Sequence, residues 1–150
     1  MAYDLKGTHT CTLDNKGRFR VPTELLKQFG ETPERTFVIN RALDNCLMIY
    51  PLEIWTVEKE NIRAKIDPYN AAHRKFEMIY VQGAEEVEMD GQDRLLLQKR
   101  FSEFAKLEKE IVLVTQYDRI QIWDKTAYDA IFNIDADELS DLAFEVMGSK

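Results

Sequence analysis

Asp14-Asn15-Lys16-Gly17-Arg18-Phe19-Arg20-Val21-Pro22 is the stretch on which the reading turns, because it returns as Asp90-Gly91-Gln92-Asp93-Arg94-Leu95-Leu96-Leu97-Gln98. Sliding the chain by 76 residues, from Asp14 to Asp90, also superposes Gly7 on Gly83 and Arg18 on Arg94. Apolar character is kept at Cys11/Val87, Leu13/Met89, Phe19/Leu95 and Val21/Leu97. After a two-residue slip, Phe37 to Asp44 lies over Ile111 to Asp118. Leu47-Met48-Ile49-Tyr50 then lies over Ile120-Gln121-Ile122-Trp123, and Trp55 over Tyr128. Such agreement between identities and apolar alternation marks an internal repeat. Each unit reads as strand, tight turn, short strand, short helix, strand, turn, strand.

The local signals support this order. Thr10 to Leu13 and Glu86 to Met89 alternate polar with apolar, the period of a strand buried on one face. Asp14-Asn15-Lys16-Gly17 is a turn by composition: Asp bonds nearby amides and Gly supplies positive φ. Pro22 suits the first position of a helix whose Leu25, Leu26 and Phe29 share a face, and Gly30 ends it. Asp44-Asn45 predicts a hairpin between Val38-Ile39 and Leu47 to Tyr50. In the second unit, Phe101, Phe104 and Leu107 mark the short helix, and Ile111 to Val114 reads as a buried strand.

Between the units, Trp55, Ile62 and Ile66 recur at helical spacing until Asp67-Pro68, and a second helix is predicted from Tyr69 to Met78. Asp124 and Asp135 are candidate N-caps for two closing helices. The last carries Leu139, Leu142, Ala143 and Val146 after a capping box. The expected fold is α+β. It comprises a β-rich repeat over 5–55, a helical linker over 56–80, a second repeat over 81–128 and an acidic helical segment over 129–150. The two repeats are expected to form one pseudo-symmetric body.

At 150 residues with 45% hydrophobic and 31% charged content, the chain has ordinary globular composition. No apolar run approaches the roughly 20 residues of a membrane helix, and Met1 to Lys6 lacks the order of a signal peptide. Cys11 and Cys46 cannot form a disulfide framework or a four-cysteine zinc site, so they read as reduced thiols in a cytoplasm. The net charge of −7 speaks against an anionic partner, yet it is unevenly spread. Lys6, Lys16, Arg18, Arg20 and Lys27 oppose only Asp14 and Glu24 over 5–28. Five acids oppose Lys150 alone over 134–150.

Little in the sequence suggests catalysis. His9 and His73 have no metal-ligand spacing partner, and there is no phosphate loop, nucleophile elbow or HExxH. Asp14 and Asp90 are better explained as turn formers than as a carboxylate dyad. No cofactor is expected. The remaining signal is the basic turn: Lys16, Arg18 and Arg20 alternate, so all three should project to one strand face. Arg offers a planar fork that fits guanine O6 and N7, and Lys a mobile charge for phosphate. Taken alone, these residues leave two readings open, a solvated strand face or a contact with duplex.

Asp14 to Pro22 resembles the D-x-K-G-R-apolar-x-apolar-P signature of SpoVT/AbrB-type swapped-hairpin DNA-binding domains. Two such units in one chain resemble the MraZ family of transcriptional regulators, as do Leu43-Asp44-Asn45-Cys46-Leu47-Met48-Ile49-Tyr50-Pro51 with Trp55, and Gln121-Ile122-Trp123-Asp124. The resemblance implies a cytoplasmic, nucleoid-associated regulator that assembles into closed rings of eight or more. It also implies binding to short direct promoter repeats and repression of its own division and cell-wall operon. It places DNA contacts on Lys16 and Arg18 in the first unit and on Gln92 and Arg94 in the second; Arg20 is added on spacing alone.

The second unit departs from the signature, with Asp93 at the Gly position and Gln98 at the Pro position. Asp93 is expected to repel phosphate and to pair with Arg94, and the turn is expected to lose its positive-φ residue. Leu26 stands where members often carry a basic residue. One strong and one weakened DNA edge follow, so loss of Arg18 should cost more binding than loss of Arg94. Few basic groups per turn mean weak binding per copy, which a ring offsets by avidity. A protein-interaction, antitoxin-like module on the same scaffold is the competing class. The acidic C-terminal helix is either a solvated face or a contact between protomers.

Overall fold

A computed structural model describes residues 3–30 and 35–148. Its strands are β1 (Thr8–Thr12), β2 (Arg18–Arg20), β3 (Thr36–Arg41), β4 (Leu47–Pro51), β5 (Glu85–Glu88), β6 (Arg94–Leu96), β7 (Glu110–Gln116) and β8 (Arg119–Asp124). The helices are α1 (Thr23–Leu26), α2 (Leu52–Lys65), α3 (Ala71–Phe76), α4 (Lys99–Phe104), α5 (Lys125–Ile131) and α6 (Ala136–Met147). A 3-10 turn at Lys27–Phe29 extends α1, and a wider turn at Glu77–Val81 extends α3.

The repeats do not fold side by side; they exchange strands. Six strands form one antiparallel sheet in the order β1-β7-β8-β4-β3-β5, and β2 pairs with β6 in a separate ribbon. The first strand of each repeat therefore lies along a strand of the other, β1 on β7 and β5 on β3. The order reads the same from both ends once the repeats are interchanged. A pseudo-dyad passes between β4 and β8, where Met48 faces Gln121, and between β2 and β6, where Phe19 faces Leu95.

Successive side chains of a strand point to opposite faces, and here both faces of the sheet are covered. Phe37, Ile39, Leu47, Ile49, Ile111, Leu113, Ile120 and Ile122 point to one side, where they meet Leu25, Phe29, Phe101 and the ribbon's Phe19 and Leu95. Val38, Met48 and Tyr50 point to the other, under Ile54 and Trp55 of α2 and Tyr80. Asn40 is fully buried there: its Nδ2 donates to the Tyr80 carbonyl at 2.7 Å and its Oδ1 accepts from the Arg41 amide. β4 is buried along its whole length, whereas β8, its dyad mate, alternates because α5 covers less than α2.

Several expectations shift by a residue or two. Pro22 caps α1 from outside rather than opening it. Ile66 lies just beyond α2 in extended backbone, and α3 starts after Asn70, whose side chain accepts the amides of Ala72 and His73. Leu107 falls outside α4. The caps are as read: Asp124 accepts the Thr126 amide and Asp135 the Glu138 amide.

Candidate nucleic-acid interface

Both tight turns are built on one carboxylate. Asp14 Oδ1 accepts the amides of Lys16 and Arg18, each at 2.9 Å, and its Oδ2 accepts Arg18 Nε at 2.9 Å. Asp90 repeats the pattern with the amides of Gln92 and Arg94 at 2.9 Å and with Arg94 Nε at 2.8 Å. Donation from the Arg18 amide leads the causes that hold the Asp14 carboxyl below its ordinary value. At Asp90 the Arg94 amide leads, and the carboxyl falls to about 2.

Two expectations about the second turn are overturned. Asp93 does not pair with Arg94, because Asp90 already holds that guanidinium. Asp93 instead meets Arg35, whose Nη2 lies 3.1 Å from its carboxylate and donates to the Asp90 carbonyl. Nor is positive φ lost: Asp93 takes φ +61, where Gly17 has +84. Asp is among the few residues that tolerate this conformation. The backbone bonds are conserved as well, Leu97 N donating to Gly17 O and Val21 N to Asp93 O.

From these turns rises the β2–β6 ribbon. Phe19 and Leu95 face the core, 1% exposed each, so Arg18, Arg20, Arg94 and Leu96 lie on the outward face. Arg18 is opposite Leu96 and Arg20 opposite Arg94. Lys16 and Gln92 are exposed within the turns at either end, so Lys16 does not share a strand face with the two arginines as the alternation predicted. Among the described residues, neither Lys16 nor Arg20 forms an ion pair, whereas Arg18, Arg94 and Arg35 are each matched to an aspartate.

The geometry thus treats Arg18 and Arg94 alike. The difference between the repeats lies where Lys16 is matched by Gln92 and Arg20 by Leu96. The 76-residue shift already places Leu96 on Arg20, a signal the charge count passes over. Arg35 is unpredictable from its neighbours, since its partner is 58 positions away.

The other candidate groups are structural. Cys46 is buried, its thiol pushed up to about 12, and burial raises that of Cys11 to about 11. His73 Nδ1 accepts the Asp67 amide, and His9 lies on edge strand β1 opposite Leu113.

A sequence profile of the family described as "MraZ protein, putative antitoxin-like" matches residues 5–77 and again 80–145. The chain is 38% identical over 147 residues to a protein of Christiangramia forsetii named transcriptional regulator MraZ, covering 97% of this chain and 94% of that one. A protein of the same name from Flavobacterium psychrophilum is 33% identical over 144 residues, 95% of this chain and 91% of the other. Another, from Moorella thermoacetica, is 33% identical over 138 residues, with 91% and 92% covered.

Proposed function

The chain belongs to the MraZ family, and we propose that it is a DNA-binding transcriptional regulator that reads duplex with the outer face of its β2–β6 ribbon. The observation that carries this reading is the pair of unmatched cations, Lys16 in the first turn and Arg20 on the outward ribbon face, where Arg18 and Arg94 are neutralised in place. A two-stranded ribbon fits the major groove of B-form DNA. Arg20 supplies the fork for a guanine edge or a phosphate, and Lys16 a phosphate contact. Arg18 and Arg94, each held at Nε, keep their terminal nitrogens for a base or phosphate, and Gln92 offers an amide.

Two unmatched cations at the ribbon and its turn give few phosphate contacts, hence weak binding by a single chain at physiological salt. We therefore keep the ring in the proposal: a closed oligomer of eight or more copies, engaging short direct repeats in a promoter, multiplies modest affinities. In this reading the protein works in the cytoplasm at the nucleoid, represses its own division and cell-wall operon, and needs no cofactor and no catalytic group. No helix among the described residues is long and apolar enough to cross a membrane.

Fluorescence anisotropy on a tandem-repeat promoter fragment, repeated across salt concentrations, tests the proposal. A steep loss of affinity with salt supports it, and a flat response removes the phosphate contacts. The antitoxin-like reading draws on the family description and on the aspartates that occupy Arg18 and Arg94. It predicts indifference to duplex together with a co-purifying protein.

A further inference from the structure

Two surfaces of the chain are uncovered, and their characters are complementary. α6 buries none of its residues. Leu139, Leu142, Ala143 and Val146 recur along it as one apolar stripe, with Leu142 52% and Val146 84% exposed. Asp137, Glu138, Asp141 and Glu145 lie off that stripe, together with the exposed Phe144 and Met147, and no basic residue occurs from Ile134 to Gly148.

The second surface is the cleft between α2 and α3, a hollow of about 270 Å³. Ile62, Ile66, Ala72 and Phe76 give it an apolar lining, with Lys65 and His73 alongside. Residues 61–76 carry Arg63, Lys65, Arg74 and Lys75 against Asp67 alone. Among the described residues none of these four cations forms an ion pair, although Arg74 donates to the Pro68 carbonyl.

Within one chain the helix does not fill the cleft: no residue of α6 lines it, and α6 buries none of its residues. We propose that α6 of one copy docks in the α2–α3 cleft of the next. The stripe meets the lining of Ile62, Ile66 and Phe76, and the acids meet Arg63, Lys65 and Lys75, in the manner of an amphipathic helix in a groove. A second copy is the occupant because knob and hole reside in the same sequence in equal number, with opposite charge. Such a contact is head-to-tail, the kind that closes a ring when its rotation permits. The inference rests on the proposed oligomer and names its junction.

The test uses the full chain, with mass read by light scattering and folding by far-ultraviolet circular dichroism. Leu142→Asp spoils the knob and Ile66→Asp spoils the hole. Each variant is expected to keep the wild-type spectrum and to fall to the mass of a single chain. Mixed in equal amounts, they should double that mass, because the intact helix of the Ile66→Asp chain still finds the intact cleft of the Leu142→Asp chain. A wild-type chain that is itself monomeric overturns the oligomer and this contact together. A wild-type oligomer whose mass survives both substitutions, or single-chain variants that do not pair on mixing, overturns the docking alone.

Discussion

Arg20 and Arg94 face each other across the β2–β6 ribbon, two guanidinium side chains at one antiparallel pair. Like charges directly opposite destabilise a ribbon, and here Asp90 neutralises one of the two. The other is left for a partner. Arg20→Gln should therefore leave unfolding stability within about 0.5 kcal/mol of wild type, as an exposed substitution does. The same change should weaken promoter binding by about tenfold and lower the salt slope. Urea denaturation and anisotropy titrations on the same protein read the two effects, and a loss in both would contradict the assignment.

Asp93 replaces glycine without spoiling the turn, but it sets a carboxylate among the ribbon's cations. Asp93→Gly keeps the positive φ and frees Arg35, adding one unmatched charge at the weaker end. Duplex affinity should rise severalfold at low salt and converge on wild type at high salt, where screening removes the gain. Unchanged affinity at low salt would show that this turn does not approach DNA.

Asp14 and Asp90 titrate below their ordinary value of 3.8, Asp90 near 2. A carboxyl depressed in the folded state contributes stability that is fully present above its unfolded pKa and is lost as pH falls through the folded one. Stability should thus be insensitive to these groups above about pH 4 and decline between about 4 and 2. Asp90→Asn should flatten that decline. Thermal melts taken across this range check it, and a decline as steep in the variant as in wild type would assign the acid sensitivity elsewhere.

Phe19 lies on the pseudo-dyad against Leu95, 1% exposed, and ties the ribbon to the main sheet. Phe19→Ala should cost about 3–5 kcal/mol, as a buried aromatic truncation does. Because it loosens the platform, it should also reduce DNA binding. A variant that keeps full stability would show that the ribbon is not anchored through this ring.

Much of this was legible in the sequence. Asp14, Gly17 and Arg18 announce their turn by local chemistry, and the shift to Asp90, Asp93 and Arg94 finds its copy. Asp44-Asn45 likewise announced the hairpin that joins β3 to β4. What local chemistry does not encode is partnership. Leu95 opposite Phe19, Arg35 against Asp93, and β1 on β7 each join residues far apart in the chain. Reading Asp93 against its nearest cation, Arg94, failed for this reason: Asp90 had taken that group, and a more distant arginine supplied the bond.

Strand exchange also constrains how the protein is made. Cys11 leaves the ribosome roughly a hundred residues before Ile111, its ladder partner. At ~5–20 residues per second of synthesis, the nascent amino-terminal half waits about 5–20 s with that sheet margin unsatisfied. Neither half can serve as a completed template for the other, so maturation is deferred until translation is nearly over. A chain truncated in the second half should therefore emerge as a chaperone client rather than as a smaller working protein.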